Sequence, residues 1–225
     1  MGWFSSVFDT IFTFLKDATW LQQVEAMFVI AGLPILIIKW FFSQPKLKLK
    51  FDSKETYLEA LEVGRGKNSL WLHLICSNNG FVEAKRTNGF LIKVYNFDPE
   101  KHCYKENNDF KSQIILKWAH EENHDPRNIL PRNKRRLDVC FIYEGDSQLY
   151  FATKYYPSGT AKTLPPGQYL LDIVVTGDNI SYPTRYKLPV LWDGTWRGLK
   201  VFRPPIKSFK LYGTSSGVDS FRLYL

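Results

Sequence analysis

Several things this sequence lacks narrow what it can be. Three cysteines in 225 residues are too few, and odd in number, for a disulfide scaffold, and they show no metal-motif spacing. Fourteen glycines and twelve prolines are near average usage, which excludes collagen-like and linker-like chains. The mildly negative mean hydropathy excludes a polytopic membrane protein, leaving room for one span. There is no Walker loop, no dinucleotide-binding GxGxxG and no nucleophile elbow, and no fixed-period repeat of a propeller or solenoid.

What is present is positive charge and aromatic side chains. Thirty Lys plus Arg against 22 Asp plus Glu give a net charge of +8, which calls for an acidic partner or an anionic surface. An aromatic share of 16% suits strands, cores and membrane interfaces alike.

Residues 26–42 read AMFVIAGLPILIIKWFF with Lys39 as the single charge. Seventeen residues at about 1.5 Å each fall slightly short of a hydrocarbon core of about 30 Å, and extension toward Trp20 covers the deficit. Lys39 can snorkel, Trp20 and Trp40 suit the two interfaces, and Pro34 is tolerated in a lipid-embedded helix. The pattern predicts a transmembrane helix over 22–45. Ahead of it, Phe4, Val7, Phe8, Ile11, Phe12 and Leu15 recur at helical spacing opposite Ser5, Asp9, Thr13 and Lys16, predicting an amphipathic helix over 1–21 that lies in the interface or packs against another protomer. Lysines 46, 48, 50 and 54 follow the span whereas Lys16 alone precedes it. The positive-inside rule therefore places the larger C-terminal part in the cytoplasm, where Cys76, Cys103 and Cys140 would stay reduced.

After Pro45 the hydrophobic period changes to two. Leu47, Leu49 and Phe51 alternate with Lys46, Lys48 and Lys50, and strand-like runs follow at 69–77, 87–96, 113–118, 137–143, 148–155, 168–176 and 184–192. Asn78-Asn79-Gly80, Glu144-Gly145-Asp146, Pro165-Pro166-Gly167 and Gly177-Asp178-Asn179 supply turns between them. Helical periodicity is confined to 55–63. These runs predict an antiparallel β-sandwich or barrel over 46–203. In the tail, 204–225, Phe221, Leu223 and Leu225 alternate, suggesting a strand added within this chain or to a partner.

The stretch from Leu164 to Val175 resembles the approach to strand F of immunoglobulin-like domains, with a turn glycine, Gly167, before Tyr169. The resemblance implies a tyrosine corner closed by the Tyr169 hydroxyl. Leu171 stands where antibody domains have their second cysteine, so only the wider immunoglobulin-like architecture is implied. The run from Trp71 to Gly80, followed by Ala84 and Gly89 to Val94, similarly resembles the opening of prokaryotic β-sandwich modules, often membrane-anchored and of unknown function. It implies a fold more than an activity.

One segment has the form of a catalytic motif. His120-Glu121-Glu122-Asn123-His124 fits H-E-x-x-H, in which two histidines one helical turn apart hold zinc and the glutamate polarises a water. The polar Glu122-Asn123 pair, Pro126 close behind and the strand-like approach at 114–118 read instead as a polar loop or one helical turn. A membrane-bound zinc hydrolase using His120, Glu121 and His124 is thus the lesser alternative. Positive charge gathers at Arg127, Arg132, Lys134, Arg135 and Arg136 without interleaved aromatics. That argues against a nucleic-acid reader and for a solvated loop or a surface for anionic lipid or an acidic protein. Together these readings describe a non-enzymatic, cofactor-free, single-pass membrane protein whose cytoplasmic β-sandwich binds a partner and whose N-terminal helices anchor it and assemble it as a homo-oligomer. A sensor-effector whose helices oligomerise on signal binding is the other alternative.

Overall fold

The computed structural model describes residues 42–53, 67–119, 121 and 124–202, the backbone of 57–62 and 211–212, and the single positions 19 and 32. The chain divides into two units, Met1–Gln44 and Pro45–Leu225. The predicted amphipathic and transmembrane helices, with Trp20, Pro34, Lys39 and Trp40, lie outside the described residues. Among the described residues no helix is long and apolar enough to cross a membrane.

The second unit is built of strands. In chain order they are β1 (Leu47–Lys50), β2 (Tyr57–Glu62), β3 (Lys67–Asn78), β4 (Ala84–Asp98), β5 (Cys103–Glu106), β6 (Ile114–Leu116), β7 (Arg127–Ile129), β8 (Lys134–Tyr143), β9 (Leu149–Phe151), β10 (Thr163–Leu164), β11 (Gly167–Thr176), β12 (Thr184–Trp192), β13 (Leu199–Val201) and β14 (Leu211–Tyr212). They form two sheets. The first runs β1-β3-β8-β9-β10, with β2 paired to β3 beside β1. The second runs β13-β12-β11-β4-β5-β14, with β6 and β7 also paired to β4. All pairings are antiparallel except β14 with β5.

Alternation decides the faces. Leu70, Leu72, Leu74 and Cys76 of β3 meet Leu137, Val139, Cys140 and Ile142 of β8, and across from them stand Leu91 and Val94 of β4, Leu171, Ile173 and Val175 of β11 and Leu188 and Val190 of β12. These residues make one buried core shared by both sheets. Val139 and Cys140 both face it because the β3–β8 register shifts between Leu72 and His73, where Val139 is the extra residue of a bulge. Gly89 of the second sheet lies against Leu137 of the first, where an added Cβ would stand 2.5 Å from Leu137 Cδ1. Only glycine leaves room for that leucine.

A smaller cluster of Tyr95, Tyr104 and Leu170 lies on the opposite face of the second sheet, with Phe97 against it. Beside it Asp172 is wholly buried and receives the Arg185 guanidinium through two hydrogen bonds, one of them Nε to Oδ1 at 2.7 Å. On the outer face of the first sheet, Trp71 stacks on Phe141 at 4.3 Å between ring centroids, and Phe141 on Tyr150 at 5.4 Å. Each ring's face is thereby spent on its cross-strand neighbour.

The structure corrects two local expectations. Within the stretch 55–63 read as helical, residues 57–62 are strand β2, paired in register with β3 from Leu72 back to Lys67, and 55, 56 and 63 lie outside the described residues. The backbone groups of β3 in that stretch need partners, and satisfying them outweighs a weak helical preference. The basic run is not one loop either. Arg127 opens β7, Lys134, Arg135 and Arg136 open β8, and only residues 130–133 connect them. The tail does contribute a strand, β14, but at Leu211–Tyr212; Phe221, Leu223 and Leu225 lie outside the described residues.

A candidate anion-binding cleft

Beyond β6 the chain leaves the second sheet and joins the first. Trp118 bridges to Leu137, and its indole Nε1 donates to the Thr87 carbonyl at 3.1 Å, fixing the ring between the sheets. Ala119 N donates to Arg136 O at 2.9 Å, and a tight turn follows in which Glu121 N donates to Trp118 O at 3.3 Å. This crossover and the start of β8 enclose a cleft of about 370 Å³ lined by Ile75, Trp118, Ala119, Glu121, Lys134, Arg135 and Arg136. Its volume is at the small end of ligand sites, enough for a carboxylate, a phosphate or one acidic side chain.

The basic residues expected from the sequence fall into distinct environments here. Glu121 takes Arg127 Nη2 at 2.6 Å on one carboxylate oxygen and Arg135 Nη1 at 3.2 Å on the other. Arg135 Nε also donates to Asn128 O at 3.2 Å. These two guanidiniums are therefore oriented by one carboxylate, which offsets one of their two charges. Arg132 stands away from the cleft, its guanidinium 5.8 Å from the centre of the Phe81 ring. Arg136, half-buried and opposite Ile75 in the β3–β8 register, makes no ion pair among the described residues. Arg136 thus brings a positive charge to the cleft that Glu121 does not engage.

Of the H-E-x-x-H segment, Glu121 and His124 are described and neither lies in a helix; His120 lies outside the described residues. His124 Nε2 accepts the backbone N–H of Lys154 at 3.1 Å, so its lone pair is engaged, and Glu121 is engaged by arginine. Burial and the neighbouring Lys154 and Lys117 cations hold the His124 pKa below the ordinary imidazole value. Among the described residues no three His, Cys, Asp or Glu side chains converge on one point.

Two further features sit close by. His73 and Asp138, facing each other across β3 and β8 next to the Ile75–Arg136 row, form a buried pair. A short alternating run with one histidine and one aspartate gave no reason to couple them; only the bulge brings them opposite. Tyr169, singled out by resemblance, donates its hydroxyl to the Pro165 carbonyl at 2.7 Å, while its ring lies in the main core. No protein-family model matches the sequence, and neither does any curated protein.

Proposed function

We propose that this protein is a non-enzymatic, single-pass membrane protein whose β-domain, an immunoglobulin-like sandwich on the cytoplasmic side, recognises an acidic group of a protein partner in the Arg136 cleft. The observation that carries this reading is the division of labour among the arginines. Glu121 occupies Arg127 and Arg135, whereas Arg136 makes no ion pair among the described residues and lies beside the apolar Trp118 and Ile75. A partly desolvated guanidinium against an apolar floor favours a carboxylate or phosphate more than a solvated one does. The apolar run over 22–45 and the lysines after it support the anchor and its orientation, and the Tyr169 hydroxyl bond supports the immunoglobulin-like assignment.

The test uses the full chain in zwitterionic nanodiscs, titrated with a fluorescent glutamate-rich peptide. Arg136→Glu weakens binding by about tenfold or more, while Lys200→Glu, on β13, leaves it unchanged at equal melting temperature. Equal binding by both variants refutes the cleft. Protease digestion of sealed membranes tests the orientation, since an intact domain cleaved from outside contradicts it. The N-terminal segment is proposed to assemble the chain as well, which size analysis in detergent with and without residues 1–21 tests: a monomer in both cases ends that reading.

A further inference from the structure

The end of the β-domain at which the chain enters carries an exposed apolar and basic tip. Antiparallel pairing places the start of β1, the end of β3, the starts of β4, β8 and β12 and the end of β11 at one end of the two sheets. Three loops project there, 79–83, 130–133 and 177–183. Asn78 draws two of them to the entering chain. Its Oδ1 accepts from Lys46 N at 3.1 Å, and its Nδ2 donates to Val82 O at 2.7 Å and to Ile129 O at 3.0 Å. Arg132 N donates to Asn78 O at 2.7 Å, and Asn79 N donates to Lys46 O at 2.8 Å. The third loop is tied in through Asn179, whose Nδ2 donates to Glu83 O at 2.8 Å, and through Thr184, whose Oγ1 donates to Leu47 O at 3.2 Å.

Each loop exposes one large apolar or aromatic side chain. Phe81 is 56% exposed, Leu130 54% and Tyr182 80%. Folding alone does not call for three such residues at one end of a domain. These loops and the strand ends beside them hold the cations Lys46, Lys85, Arg86, Arg132 and Lys134 against the carboxylates Glu83 and Asp178, and Asp178 lies 3.7 Å from Arg86. We infer that this tip is a membrane-docking surface, with Phe81, Leu130 and Tyr182 entering the headgroup layer of an anionic bilayer and Arg132 and its neighbouring cations meeting lipid phosphates. Apolar side chains among cations fit that boundary, where each Lys or Arg near the surface contributes about 1 kcal/mol. The bilayer is singled out over an acidic protein because Lys46, bonded to the tip, follows the apolar run by only a few residues. The inference rests on the anchoring part of the proposed function.

The buried cysteines allow a selective probe. Full-length Phe81→Cys, Leu130→Cys and, at the opposite end, Ser147→Cys are labelled with an environment-sensitive fluorophore and placed in nanodiscs with anionic lipid and a headgroup-level nitroxide quencher. The expected result is a blue shift and several-fold stronger quenching at 81 and 130 than at 147, weakened when Arg132→Glu is added or zwitterionic lipid replaces anionic lipid. Probes at 81 and 130 as solvated as the one at 147 overturn the inference. Alkaline extraction separates the two readings: a chain retained in the bilayer with solvated probes leaves the anchor standing and removes the tip, whereas a chain released by alkali removes both.

Discussion

His73 Nδ1 lies 2.5 Å from Asp138 Oδ1, and the two residues retain only 1% and 4% of their exposure. A proton must lie between these atoms for the contact to be attractive, and among the described residues His73 Nε2 has no hydrogen-bond partner of its own. Such a pair stabilises mainly by sparing each member the cost of being buried alone. Asp138→Ala is expected to cost about 2–4 kcal/mol in urea denaturation. Combining it with His73→Leu should cost much less than the sum of the single variants. Additive losses in that double-mutant cycle would show that the two side chains act independently.

Gly89 and Leu137 make a second coupling, steric this time and between the sheets. Gly89→Ala pushes a methyl into a filled leucine site and should destabilise by about 1–3 kcal/mol. Leu137→Val should recover part of that loss in the Gly89→Ala background although it is harmful alone. A thermal melt of Gly89→Ala matching the parent would mean that the Leu137 side chain swings aside without cost.

The cleft gives a change in the opposite direction to the Arg136 test. Glu121→Gln keeps the shape of the side chain but releases the charge of Arg127 and Arg135, so the acidic peptide should bind about threefold to tenfold more tightly, with steeper salt dependence. Weaker binding would make Glu121 a direct contact of the partner instead of a counter-charge.

Acidification should be felt at His124. Its folded pKa is held below the ordinary value of 6.5, so between those two values the unfolded chain binds more protons than the native one. Stability contributed by the neutral ring is therefore present above pH 6.5 and lost as the pH falls toward the folded pKa. Protonation also ends the bond accepted from Lys154 N. His124→Gln should flatten the decline in urea midpoint between about pH 7 and pH 5 relative to the parent. Parallel declines would assign the pH dependence to other groups.

The long strands were legible because their pattern and their ends agreed. β12 begins after Tyr182-Pro183 and stops at Trp192, and the run read from the sequence coincides with it. β2 was not legible, because YLEALE satisfies helical and strand spacing equally and the open edge of β3 decides. The short β5 and β7 escaped for a related reason. Three or four residues carry no period, and they are strands because they complete the hydrogen bonds of one edge of β4. At the cleft, the five basic residues could be read off the sequence, but not which of them Glu121 neutralises, since that depends on the crossover at Trp118. The buried partner of His73 was hidden for the same kind of reason, 65 positions away and aligned only by the Val139 bulge.

The pairing of β1 with β3 bears on how the domain carries load. β1 starts at the entry end and runs away from it along β3, four residues in antiparallel register from Leu47↔Asn78 to Lys50↔Ile75. Tension on the chain ahead of Lys46, directed away from that end, acts along the strand axis and across the ladder bonds, which lie perpendicular to it. Those bonds and the ones made by Asn78 would then be strained together in shear, with no single bond exposed to be peeled first, so the attachment point resists pulling as a unit.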